Sequence, residues 1–178
     1  MVTSRRTGFT IVELLIVIVV IAILAAITVV TFNGVTARAE NTKTISAAQT
    51  TVKAQKLYAN TYGTYIPVTY GCIGGDSCAK IDTSANCFGV GGVSPSSSYD
   101  SEVAKVVTTV PQASTHTIRC ASTGATYRGG FAYAFNSWKS AYVNYFLRGS
   151  DAQCVIGGAS RTVDGDLVRC LVQLETLN

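Results

Sequence analysis

A single carboxylate near the start of the chain is the first residue whose type and position suggest chemistry. Glu13 lies just inside an apolar run that continues unbroken through residues 14–27 and is long enough to span a bilayer. Insertion scales put an acidic residue at the centre of a membrane helix at about +2.5 to +3.5 kcal/mol. A chain that carries a carboxylate there is expected to use it.

Candidates for catalysis are few. His116 is the only histidine and lies in a Ser/Thr-rich stretch, and the chain has no G-x-S-x-G nucleophile elbow. Gly89-Val90-Gly91-Gly92 lacks the preceding strand and following helix of a phosphate-binding loop, which favours a turn. The sequence therefore predicts no catalytic residue, no cofactor and a protein that is not an enzyme.

Two patterns have a metal-binding alternative. Asp164-Gly165-Asp166 could contribute to a calcium site, but an Asp-Gly turn is the favoured interpretation. Six cysteines follow the apolar run, which predicts disulfides in an oxidising compartment. Zinc is the alternative, although there is no C-x-x-C pair and His116 is not set beside a cysteine pair. The sequence predicts no metal site, and the candidate disulfide residues are Cys72, Cys78, Cys87, Cys120, Cys154 and Cys170.

The N-terminal segment does not match the common targeting classes. A secretory signal peptide would end in an A-x-A-like site, and none follows this apolar run. An ordinary transmembrane anchor fits the length but explains neither Glu13 nor the Gly8-Phe9 junction. The formal net charge of +4 falls to +2 when Arg5 and Arg6 are removed, which is too little to indicate nucleic-acid binding from bulk charge.

These residues resemble the class III signal of type IV pilins. That family has a short basic leader ending in Gly, a Phe after the cleavage point and a Glu four residues further on, as at Gly8, Phe9 and Glu13. The resemblance implies cleavage between Gly8 and Phe9 by a prepilin peptidase/N-methyltransferase, with N-methylation of the Phe9 amine. It also implies a pilus assembly platform and a homopolymer of pilin subunits as partners.

Glu13 then acquires an assembly role. Cleavage after Gly8 frees an α-amine, and Glu13 of one subunit could neutralise the Phe9 amine of a neighbour in a staggered helix bundle. An unpaired charge in such a core costs several kcal/mol, whereas a paired one is tolerated. The alternative is a carboxylate that snorkels at the membrane boundary.

The chain departs from many pilins in lacking a proline within the apolar helix. No proline precedes Pro67, which puts proline-dependent melting of the helix in doubt. If the helix loosens in a filament, we expect this at residues 28–34, where β-branched residues and Gly34 weaken helix preference.

The expected fold is α+β, a type IV pilin fold in which a long N-terminal helix packs on a small antiparallel sheet stabilised by disulfides. We expect a leader at residues 1–8, a transmembrane or filament-core helix at 9–31, its amphipathic continuation at 32–62 and an exported globular domain at 63–178. Ile45, Ala48, Val52 and Ala59 recur at helical spacing and form the predicted apolar face.

Periodicity predicts the remaining elements. A short helix is favoured over a strand from Ser97 to Pro111, with Val103, Val106, Val107 and Val110 on one face. A sheet of three to five strands is predicted from period-two patterns. Its strands are expected at residues 131–135, 141–147, 154–156 and 167–174, with residues 136–140 as a loop.

Disulfide pairing is expected between Cys154 and Cys170, because many pilins tie the C-terminal region to the sheet in this way. For the other four cysteines, Cys72–Cys78 and Cys87–Cys120 are the expected pairs. Fifteen pairings of six cysteines exist.

The expected function is that of a structural pilin subunit, in the cytoplasmic membrane before assembly and in an extracellular filament afterwards. Adhesion, twitching motility and DNA uptake are the possible filament roles. The alternatives are a minor pilin or a secretion or competence pseudopilin, and then a monomeric membrane-anchored binding module. Nine tyrosines could contact DNA, glycan or a host surface, but the sequence shows no basic face that would favour nucleic-acid binding.

Overall fold

The computed structural model describes residue 8 and residues 10–73, 86–89 and 96–178, with the backbone alone at residues 29–33. The chain divides into two compact units, Met1–Thr36 and Ala37–Asn178. The helices are α1 (Ile11–Tyr62) and α2 (Ser97–Ala104). The strands are β1 (Gly71–Cys72), β2 (Ile118–Arg119), β3 (Thr126–Tyr127), β4 (Gly130–Phe135), β5 (Ser140–Arg148), β6 (Ala159–Asp164) and β7 (Leu167–Gln173).

The second unit is built on an antiparallel sheet in the order β1-β4-β5-β7-β6, beside a separate β2-β3 ladder. The α+β class and the long N-terminal helix expected from the sequence are confirmed. Three of the expected strands correspond to β4, β5 and β7. β1, β2 and β3 have two residues each, too few for a period to appear in the sequence.

The strand expected at residues 154–156 is wrong. That segment is loop, and the edge strand is β6, which begins three residues later at Ala159. The Arg161 guanidinium donates to the carbonyl oxygens of Ser150 and Ala152, and so holds the preceding segment as a loop. Gly158, at φ +77°, supplies the left-handed turn that leads into β6.

The helix expected to run to Pro111 is shorter. It begins with Ser96 as N-cap, whose Oγ accepts from the Tyr99 N–H at 3.2 Å, but it ends at Ala104. The N–H groups of Val106 and Val107 both bond back to the Val103 carbonyl. Val106, Val107 and Val110 therefore lie beyond the helix, consistent with the weaker helix preference of β-branched residues.

The buried face of α1 in the second unit consists mainly of small and polar side chains. Of the expected apolar face, Ala48 and Ala59 are buried, whereas Ile45 and Val52 are only partly buried. The buried positions recur at intervals of one and three residues: Thr44, Ala47, Ala48, Thr51, Ala54, Gln55, Tyr58 and Ala59. The apolar members of this stripe belong to one cluster with the β5 and β7 side chains Val143, Tyr145, Leu147, Val168, Cys170 and Val172.

Polar side chains of α1 fix its position by bonding backbone groups elsewhere in the unit. Asn41 donates through Nδ2 to the Arg148 carbonyl and accepts through Oδ1 from the Arg148 N–H, both at 2.8 Å. Thr44 Oγ1 accepts from the Ser114 N–H at 3.2 Å, and Gln55 Oε1 accepts from the Ile66 N–H at 3.1 Å. Buried backbone groups need such partners, so these residues set where the helix lies on the sheet.

Disulfides join Cys87 to Cys120 and Cys154 to Cys170, the two pairs expected among the described residues. The second bridge closes 16 residues, which corresponds to about 3 kcal/mol in the chain-entropy model. Cys72 is also disulfide-bonded, and its expected partner Cys78 lies outside the described residues.

We expect Ala48→Leu to destabilise the fold by about 1–3 kcal/mol, because Ala48 is fully buried in the helix–sheet cluster and extra side-chain volume in a packed core forces neighbouring groups to move. Ala39→Leu, at an exposed position of the same helix, is the matched control and should change stability by less than about 0.5 kcal/mol. Denaturant unfolding of the full chain in detergent micelles measures both. Equal effects would contradict the packing assigned to Ala48.

Candidate processing and assembly site

The start of α1 is organised by Thr10 and Glu13. The Glu13 carboxylate accepts from the Thr10 N–H and from the Thr10 hydroxyl, each at 2.8 Å, and Thr10 Oγ1 accepts from the Glu13 N–H at 3.2 Å. This reciprocal pair is a capping box, in which the residue before the first helical turn and the residue three positions on satisfy each other's free backbone donors. Glu13 thus has a local role within the single chain.

Sequence reasoning missed the part played by Thr10. The signal was present, because Thr10 and Glu13 have the T-x-x-E spacing of a capping box and an apolar run follows. The Glu13 carboxylate also lies at the positive end of the helix dipole, which favours negative charge. The position of Glu13 is therefore explained in part by helix initiation, before any second subunit is considered.

The expected cleavage junction lies just outside the helix. Gly8 is exposed and has no helical assignment, whereas α1 begins at Ile11. Phe9 and leader residues 1–7 lie outside the described residues. The structure therefore brings Thr10 and Glu13 together, and the position of the Phe9 amine relative to Glu13 remains an expectation from the sequence.

The first unit presents an apolar helical surface. The side chains of its large hydrophobic residues are exposed, from Ile11 at 84% to Ile27 at 60%. Among the described residues, one helix is long and apolar enough by length and composition to cross a membrane, at Ile11–Thr28. Exposed apolar area of this extent marks an interaction with lipid or protein.

Residues 28–34, where the sequence suggested that α1 could loosen, have helical backbone. The Thr28 hydroxyl donates to the Ala25 carbonyl at 2.9 Å, a local bond that competes weakly with the backbone ladder. Loosening of this stretch in a filament stays a prediction.

The Asp-Gly-Asp motif forms a hairpin turn between β6 and β7. Asp164 Oδ1 accepts from the N–H groups of Ala121 and Ser122, at 2.7 and 2.9 Å. Gly165 has φ +61°, and a Cβ there would approach the Ala121 Cβ to 2.7 Å, so glycine is needed. Asp166 pairs with Arg148 instead, with Nε and Oδ2 3.2 Å apart.

Asp164 also lies close to the sulfurs of Cys87 and Cys120. Those sulfurs are bonded to each other, so they are not thiolates and cannot act as the anionic ligands that a metal needs. Gly89, with φ +68°, is the described part of the Gly89-Val90-Gly91-Gly92 motif and occupies a turn. Val90 to Gly92 lie outside the described residues.

His116 takes part in a polar bridge between elements of the second unit. Its Nδ1 lies 3.4 Å from Glu40 Oε1 and its Nε2 lies 3.2 Å from Arg148 Nη1. Ser114 accepts from the His116 backbone N–H rather than from the imidazole. The imidazole thus links α1 to the end of β5, which is a structural role. Among the described contacts, no serine, threonine or cysteine side chain is bonded to the imidazole.

The pKa of Asp164 gives a test of the turn. Hydrogen bonds from Ser122, first from its hydroxyl and then from its backbone, together with that from the Ala121 N–H, hold this pKa below its ordinary value of 3.8. The ionised carboxylate therefore stabilises the fold above the unfolded-state pKa, and this stabilisation is lost as the pH falls through the lower folded-state pKa.

We expect Asp164→Asn to reduce the loss of melting temperature that accompanies acidification from about pH 5 to about pH 2. Thermal unfolding of the full chain at a series of pH values measures this. Asp151→Asn, at an exposed carboxylate, should keep the acid profile of the unmodified chain. An unchanged profile for Asp164→Asn would contradict the role of the carboxylate in the turn.

Comparisons with known proteins bear on the N-terminal segment. A model of the prokaryotic N-terminal methylation motif matches residues 3–29, which include Gly8, Phe9, Thr10 and Glu13. No curated protein and no solved structure matches the chain with significance. The capping box, the exposed apolar helix and the Gly8-Phe9 junction therefore lie within one recognised segment. The chain carries the prokaryotic N-terminal methylation motif, which is the class III signal peptide of type IV pilins.

Proposed function

We propose that this chain is the structural subunit of a type IV pilus, anchored in the cytoplasmic membrane by α1 and then polymerised into an extracellular filament. The methylation motif at residues 3–29 is the observation that carries the proposal. The exposed apolar surface of Ile11–Thr28 supports it, because such a surface needs either lipid or neighbouring helices around it.

Processing comes first in the proposed sequence. A prepilin peptidase cuts between Gly8 and Phe9 and methylates the new Phe9 amine. The exposure of Gly8 outside the helix suits access by a protease. The assembly platform then extracts the processed chain from the membrane into a homopolymer.

Glu13 changes partner in this scheme. In the single chain its carboxylate accepts hydrogen bonds from Thr10, which supply donors but no counter-charge. In the filament it pairs with the Phe9 amine of a neighbouring subunit and sets the stagger between helices. The cation is needed there because a buried carboxylate without a counter-charge costs several kcal/mol.

Two alternative functions are consistent with some of these observations. A minor pilin or a secretion or competence pseudopilin would have the same signal and the same processing. A monomeric membrane-anchored binding module would use α1 only as an anchor, and Glu13 would then be a capping residue only. DNA uptake is a further filament role, but the charge pattern of the sequence does not favour it.

The mature N-terminus tests the processing step. We expect mass spectrometry of the chain from its native membrane to show a start at Phe9 with a methylated amine. Gly8→Ala, which adds a methyl group at the junction, should leave the leader attached in most molecules. A mature chain that starts elsewhere would contradict the processing proposal.

Glu13→Gln separates charge pairing from helix capping. Gln can replace Glu in a capping box, so helix initiation and membrane insertion should persist, while loss of the negative charge should abolish filaments or reduce them about tenfold or more. Electron microscopy counts filaments, and membrane fractionation confirms insertion. Thr10→Val, which removes the hydroxyl and keeps the Glu13 charge, is the matched comparison. Normal filaments from Glu13→Gln would contradict the pairing and favour the capping role alone.

A further inference from the structure

Four aromatic side chains form an exposed patch on the sheet face opposite α1. We define the aromatic patch as Tyr70, Tyr133, Phe135 and Tyr142. Tyr133 contacts Tyr70 and Tyr142 at ring-centroid distances of 5.3 and 5.2 Å, and Phe135 stacks on Tyr142 at 5.3 Å with the planes 8° apart. Tyr70 is 50% exposed and Phe135 42% exposed, whereas Tyr133 and Tyr142 are partly buried, so the patch is a continuous aromatic surface that is accessible mainly at Tyr70 and Phe135.

Part of this sheet face is buried against other described residues. Phe131 and Phe146 are buried in a second cluster with Tyr127, Leu167 and the Cys87–Cys120 bridge. Tyr133 lies at the margin of that cluster. Among the described residues, the aromatic patch is therefore the aromatic part of this face that is not buried in the second cluster.

The strand register places a neutral polar residue beside the patch. The exposed Gln173 of β7 lies directly opposite Tyr142 of β5, whereas Ser140, opposite Phe135, is buried with its hydroxyl 3.2 Å from that of Thr176. Tyrosine hydroxyls and the Gln173 amide can both donate and accept hydrogen bonds. The surface thus combines apolar ring area with uncharged hydrogen-bonding groups.

Charge argues against a polyanion as the occupant. The Arg169 guanidinium, on the same face, is already bonded to Asn144 Oδ1 at 2.8 Å and to the Phe88 carbonyl at 3.2 Å. Burial lowers the Arg169 pKa, as expected for a cation partly withdrawn from solvent. Nucleic-acid affinity depends on several free lysines or arginines at the phosphates, and the described residues of the aromatic patch and its register partners are uncharged.

Area argues against a second copy of the chain. An aromatic side chain contributes about 150–250 Å²; with Tyr70 and Phe135 about half exposed and Tyr133 and Tyr142 less so, the four offer about 200–400 Å². A stable protein–protein interface needs about 800 Å² per partner. The patch matches a ligand of one to three sugar rings better than it matches a protein surface.

A left-handed turn borders the patch. Asn136, Ser137 and Trp138 follow Phe135 and have φ values of +53°, +53° and +65°, a conformation that costs non-glycine residues about 1 kcal/mol or more each and is enriched at ligand sites. The Trp138 carbonyl accepts from the Tyr65 N–H at 2.8 Å, and the Lys139 N–H bonds the Asn136 carbonyl at 3.1 Å. The surrounding chain thus holds exposed amide and hydroxyl side chains at Asn136 and Ser137 beside the rings.

We propose that the aromatic patch is a binding surface for a neutral saccharide. The C–H face of a pyranose packs against aromatic rings, and its hydroxyls bond uncharged amide and hydroxyl groups of the kind exposed at Gln173, Asn136 and Ser137. The proposal concerns the second unit of the chain and does not depend on filament formation.

The test is saturation-transfer NMR with the full chain in detergent micelles and three probes: cellotetraose, maltotetraose and N-acetylchitotetraose. We expect at least one tetrasaccharide to bind, and Tyr70→Ser with Phe135→Ser to weaken its affinity by about tenfold or more. Both side chains are half exposed, so the variant should keep the thermal unfolding of the unmodified chain. Tyr62→Ser, at a tyrosine of α1 that is 51% exposed, is the matched control and should bind normally.

Other outcomes overturn the proposal. Failure of all three tetrasaccharides to bind, or equal loss of binding in Tyr62→Ser, would refute it. Binding of a single-stranded oligothymidylate that the patch variant abolishes would assign the surface to nucleic acid. Self-association of the second unit's surface, seen by analytical ultracentrifugation as a mass change that the patch variant removes, would assign it to a second copy.

Discussion

The apolar surface of residues 11–28 is the constraint on which the rest of the molecule depends. Its large side chains are exposed in the single chain, and burying a Val, Leu or Ile side chain is worth about 1.5–3 kcal/mol. More than a dozen such residues are exposed in this segment, so burial against lipid or other helices is strongly favoured over exposure to water. The first unit therefore presents a surface suited to a membrane or a protein neighbour.

The capping box gives the Glu13 carboxylate hydrogen-bond partners within its own helix. Glu13 is bonded to the Thr10 N–H and hydroxyl. The same contacts satisfy a backbone donor at the helix start that would otherwise lack a partner. These bonds are local and supply no counter-charge, so the capping box accounts for helix initiation and leaves the carboxylate charge itself unpaired within the described contacts.

The second unit must bury enough apolar area to be stable although its strands are short and its loops are long. Small residues on α1, such as Ala48 and Ala54, let the helix lie close to the inner face of the sheet. Asn41 then fixes the end of β5 through two hydrogen bonds. The Tyr58 hydroxyl donates to Glu102 at 2.6 Å, and burial together with this bond raises the Tyr58 pKa to about 12, so the link to α2 persists at neutral pH.

Local sequence patterns predicted those elements whose signal is long and periodic. α1, β4, β5 and β7 follow from apolar runs or alternation, and Thr10-x-x-Glu13 contains the capping signal in full. The β6 position was not predictable in this way, because its boundary depends on Arg161 reaching two carbonyls in the preceding loop. The end of α2 depends likewise on tertiary context, since its valines suit either a helix face or an extended segment.

The aromatic patch could not be predicted because its members come from separate parts of the chain. Tyr133 and Phe135 share β4, but Tyr142 joins them only through the β4-β5 register, and Tyr70 only through the chain beside β1. The Cys87–Cys120 bridge belongs to the cluster that buries Phe131 and Phe146, which lie on this same face, whereas Tyr70 and Phe135 are exposed among the described residues. An aromatic area of this kind suits a binding surface, since rings already in position lower the entropy lost when a ligand binds.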